Sequence, residues 1–71
     1  MGELISVLGS LELNRERWYV EMNEPLTIGG NNIIHIQSKD CRFEMSELEL
    51  LSLASVVLAG AEQLAARKKI R

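Results

Sequence analysis

The stretch Ser46-Glu47-Leu48-Glu49-Leu50-Leu51-Ser52-Leu53-Ala54-Ser55-Val56-Val57-Leu58-Ala59-Gly60-Ala61-Glu62-Gln63-Leu64-Ala65-Ala66-Arg67-Lys68-Lys69 decides how the chain is built. Its opening is a capping box. The Ser46 hydroxyl can accept from the Glu49 N–H while the Glu49 carboxylate reaches back to the N–H of Ser46. At the other end Arg67, Lys68, Lys69 and Arg71 place cations where a helix carries its negative pole. These signals predict one helix over about 47–68.

The middle of that helix, Leu50 to Ala61, contains no charged residue. At about 100° per residue, Leu50, Leu51, Leu53, Ala54, Val57, Leu58, Ala61, Leu64 and Ala65 form one continuous apolar arc. The other side collects Ser52, Ser55, Ala59, Glu62 and Ala66, with Val56 and Leu48 beside them. A helix with one solvated side normally carries charges there, and here the middle of that side offers only Glu62. The arc is expected to dock on a sheet. The small-residue side, Ser52, Ser55, Val56 and Ala59, is expected to meet the same helix of a second copy, because short side chains let two backbones approach closely.

Upstream, the pattern is that of strands. Leu4 to Leu8 is an apolar run, and Gly9-Ser10 reads as a turn before Leu11-Glu12-Leu13 returns, with a short helix as the other reading of these first thirteen residues. Arg17 to Met22 alternates, putting Trp18, Val20 and Met22 on one face and Arg17, Tyr19 and Glu21 on the other. Pro25 breaks that strand, and Leu26-Thr27-Ile28 reads as a short edge strand or a lead into the next turn. Gly29-Gly30-Asn31-Asn32 reads as a tight hairpin loop, since glycine and asparagine tolerate positive φ. Ile33 to Gln37 and Cys41 to Met45 then read as an antiparallel hairpin with Ile34, Ile36, Cys41, Phe43 and Met45 facing inward.

The fold class that follows is α+β: an antiparallel β-meander of four to five short strands within 4–45, followed by one long C-terminal helix packed on the sheet, all in a single small domain spanning 1–71. The expected core is Val7, Trp18, Val20, Met22, Ile34, Ile36, Phe43, Met45, Leu50, Leu53, Val57 and Leu64. A domain of this size buries only about 60% of its unfolded surface, so it needs a staple or a partner. Cys41 is the sole cysteine, which excludes an internal disulfide, and no spaced Cys/His set suggests a metal. Self-association is the remedy left over.

Bulk chemistry narrows the function classes. The formal net charge of −2 argues against a strongly basic, polyanion-binding surface. Met1-Gly2-Glu3 lacks the positive start of a secretory signal, so a cytoplasmic location is expected. The uncharged run is shorter than the roughly 20 apolar residues of a spanning helix and includes Ser52, Ser55 and Gly60, so no membrane partner is expected.

No catalytic, cofactor-binding or metal site emerges. His35, the only histidine, lies on the strand face of Ile33 and Gln37, and a Cys41–His35 pair across the hairpin is conceivable only if Cys41 leaves the apolar face. Gly29 to Asn32 lacks the lysine and following helix of a phosphate loop. The expected function is therefore that of a small non-enzymatic homodimeric interaction or regulatory protein, with another protein partner as a further possibility. The alternative is a single-stranded nucleic-acid-binding module using Arg15, Arg17, Tyr19, Lys39 and Arg42, where cations and an exposed aromatic share a sheet face.

Overall fold

The computed structural model describes residues 3–70, the side chain of residue 70 excepted, so Arg71 and its place among the helix-end cations lie outside the described residues. Four strands, β1 (Leu4–Leu13), β2 (Glu16–Asn23), β3 (Ile33–Gln37) and β4 (Arg42–Ser46), form one antiparallel sheet in chain order. The helix α1 (Glu47–Ile70) follows β4 directly and contacts β3 and β4. The α+β class and the meander expected from alternation are both present.

Three local expectations change. Gly9-Ser10 is not a turn: β1 runs straight through it, with register irregularities between Leu4 and Ser6 and between Val7 and Gly9 that absorb an extra residue each. The reversal lies instead at Asn14-Arg15, whose φ values of 54° and 67° between the paired Leu13 and Glu16 are those of a two-residue primed turn. Leu26-Thr27-Ile28 forms no strand. Residues 24–32 make one loop, held by the Gly30 N–H donating to the Thr27 carbonyl at 3.0 Å, with Gly29 at φ 82°. Finally, Cys41 sits exposed in the β3–β4 turn rather than on the apolar face, because the Ser38 N–H donates to its carbonyl and β4 begins one residue later.

Pairing assigns the partnered strand residues to two faces. Leu11 opposite Trp18, Val20 opposite Ile36, Met22 opposite Ile34, then Ile34 opposite Met45 and Ile36 opposite Phe43 make one apolar face. Tyr19, Glu21, His35, Gln37, Arg42 and Glu44 make the other, polar face. Val7, expected in the core, is paired with Glu21 and falls on the polar face, half-exposed.

The capping box forms as read: the Glu49 N–H donates to Ser46 Oγ at 3.0 Å and the Ser46 N–H donates to Glu49 Oε1 at 2.8 Å. Ser46 is thus both the last residue of β4 and the helix cap. No loop intervenes, and from Glu47 to Lys69 only Leu50 is shielded from solvent to any extent. Leu53, Val57 and Leu64, expected in the core, are exposed, as is Phe43 on the sheet. Ile34 is the one fully buried hydrophobic side chain among the described residues.

The chain is correspondingly extended. Its radius of gyration is 15.1 Å and its longest dimension 53 Å, whereas a compact chain of this length would have a radius of about 11 Å.

Candidate functional site

The largest feature is a pair of uncovered apolar surfaces. On the sheet, Leu11 and Leu13 of β1 and Phe43 of β4 are each about half-exposed, and Trp18 stacks on Phe43 across β3 with ring centroids 6.5 Å apart and planes 17° apart. Such a pair adds about 0.5–1.5 kcal/mol beyond area burial, and here it forms a flat aromatic platform. On the helix, Leu48, Leu51, Val56, Val57, Leu58 and Leu64 are all exposed by more than half. The four residues expected at a dimer interface, Ser52, Ser55, Val56 and Ala59, lie on this open helix, and the Ser55 hydroxyl donates back to the Leu51 carbonyl at 3.1 Å. That bond satisfies the hydroxyl internally and leaves its surroundings free for close approach.

Between its end turns the helix surface carries a single charge, Glu62. Glu47 and Glu49 occupy the first turn and Arg67, Lys68 and Lys69 the last, where each sign suits the macrodipole. By length and composition Glu47–Lys69 could also cross a membrane, a reading that the short uncharged run did not suggest.

The polar face holds the other candidate residues. Arg15, Arg17, Tyr19 and Lys39 line one open concavity of about 520 Å³ together with Glu16, Glu21, Gln37 and Ser38. The structure thus gathers four of the five residues proposed for nucleic acid. Arg42 lies apart, beside a smaller hollow with Asn23, His35 and Glu44. Glu21 accepts from Gln37 Nε2 at 2.7 Å, Arg17 stands 3.8 Å from Glu12, and the Ser38 hydroxyl is buried without a hydrogen-bond partner.

His35 is not paired with Cys41. Its Nε2 lies 3.0 Å from Glu44 Oε2, its cross-strand neighbour, and its Nδ1 lies 2.9 Å from Nδ2 of the buried Asn23. An amide N–H can only donate, so Nδ1 accepts and Nε2–H donates to Glu44. Both ring nitrogens are occupied within the sheet. This chain of bonds, invisible to periodicity because it needs the register of three strands, ties β2, β3 and β4 together, with Asn23 diagonal to His35 and Glu44 directly opposite it.

Comparison of the chain with protein-family models, with curated proteins and with solved structures returns no match.

Proposed function

We propose that this chain is a small non-enzymatic interaction protein that works as a homodimer and presents a paired surface. The observation that carries the reading is the helix: its middle, Leu50 to Ala61, has no charged residue on any side and, Leu50 apart, is open to solvent, the character of a helix meant to be covered. A single chain of 8.0 kDa exposes 5985 Å², whereas a folded monomer of that mass exposes about 4,500 Å². The excess, about 1,500 Å² per chain, matches what one subunit contributes to an obligate dimer, where the two together bury roughly 2,000–5,000 Å². The small side chains of Ser52, Ser55 and Ala59, with Val56 beside them, suit a helix-to-helix contact across a two-fold axis. Placing arginine at Ser55 or glutamate at Ala59 tests this: either change should halve the mass seen by light scattering, and an unchanged mass rejects the helix contact.

A second reading has one observation in its favour. Arg15, Arg17, Lys39 and Tyr19 share a concavity on the polar face, which suits a single strand whose phosphates meet cations and whose base stacks on the tyrosine. Glu16 and Glu21 line the same hollow and oppose a polyanion, which is why the homodimer leads. Binding of a labelled single strand that falls steeply with salt would favour this second reading, and no binding at low salt would remove it.

A further inference from the structure

We propose that two copies exchange helices, so that the apolar arc of each helix lies on the apolar sheet face of the other copy. This rests on the self-association reading above and adds its geometry. One chain carries two uncovered apolar surfaces: the sheet face with Leu11, Leu13, Trp18 and Phe43, and the helix arc with Leu53, Val57 and Leu64. Within the chain the two leave each other largely uncovered: Leu11, Leu13 and Phe43 on the sheet and Leu53, Val57 and Leu64 on the helix all stay exposed. Ser46 ends β4 and caps α1 in the same residue, so there is no linker in which the chain could reverse, and the helix touches β3 and β4 but neither β1 nor β2. A surface and its complement that are held apart on one molecule close on each other when two molecules are related by a two-fold axis.

The dimensions fit a single helix as the occupant. A 24-residue helix is about 36 Å long and about 10–12 Å across. The sheet it would cover has outer strands about 14 Å apart, and its longest strand runs about 33 Å. One helix therefore covers most of one sheet's apolar face, and in a two-fold pair each sheet receives one helix. The area agrees as well, since the excess of about 1,500 Å² per chain is larger than the roughly 800 Å² per partner of a standard interface. In this arrangement the sheet takes the arc, and the small-residue side remains free to meet the partner's helix.

The test uses the full chain carrying C41S, with L13C in one preparation and V57C in another, mixed and treated with a short bis-maleimide. The exchange predicts a cross-linked pair in the mixture at a yield several-fold above that of either preparation alone. It also predicts that emission from Trp18, the sole tryptophan, moves to the blue as the unsubstituted chain associates. An associated mass with A59C cross-linked to A59C, but no L13C–V57C pair, overturns the exchange and leaves self-association standing. A link formed within one chain carrying both L13C and V57C at high dilution also overturns the exchange. A monomeric mass at all concentrations overturns both readings, and so does insertion of the monomeric chain into phosphatidylcholine vesicles.

Discussion

Trp18 and Phe43, separated by 25 positions in the chain, stack across β3 with their rings 6.5 Å apart, although Phe43 remains more than half-exposed. Under the proposed helix exchange, this stack is the platform on which the partner's helix lies. On a lone chain, Phe43→Ala would lose little beyond the intrachain stack, about 0.5–1.5 kcal/mol. Beneath a partner's helix it removes a buried aromatic, and we expect about 3–5 kcal/mol lost in urea unfolding at fixed protein concentration.

The reciprocal cap joins the two halves of the molecule. Ser46→Ala should cost about 1 kcal/mol, and adding Glu49→Ala should cost less than the sum of the two single changes because both belong to one unit. Unfolding midpoints of the three variants check this, and strict additivity would deny that the two hydrogen bonds are coupled.

The Asn14-Arg15 turn holds an arginine at φ 67°, a conformation that costs an L-residue about 1–2 kcal/mol. Arg15→Gly should therefore raise stability by up to about 1 kcal/mol after glycine's own entropy is counted. Thermal unfolding of the variant is the measurement, and a drop in midpoint would mean that Arg15 is held by something other than the turn.

Asn23 is 6% exposed and its amide relies on His35. His35→Ala leaves that N–H buried without an acceptor and should cost about 1–3 kcal/mol, whereas His35→Leu combined with Asn23→Leu should recover much of it. A double variant as unstable as the single one would locate the cost in packing instead.

How far the residues announced this architecture varies with how local the signals are. The helix and the β3–β4 hairpin were legible because their signals lie within a few residues: Ser46 and Glu49 for the cap, Ile34, Ile36, Phe43 and Met45 for alternation. The first hairpin was misplaced because Gly9 looks like a turn while the actual turn uses Arg15, a residue that rarely adopts positive φ. β1 keeps going through Gly9 because its bulges let the register slip without ending the strand. Alternation also put the concavity residues Arg17 and Tyr19 on one face correctly, but only three-strand register could show that His35 bonds Glu44 opposite it and Asn23 diagonally across from it. The helix contacts its sheet as expected, but Leu53, Val57 and Leu64 stay exposed, since periodicity shows that a face is apolar and not how far along its length it is covered.

Sedimentation equilibrium of the unsubstituted chain from one to several hundred micromolar tests the central claim most directly. A mass of twice 8.0 kDa, falling toward one chain only on dilution, is the predicted result. A mass of 8.0 kDa throughout, with Trp18 emission unchanged across the series, would contradict it.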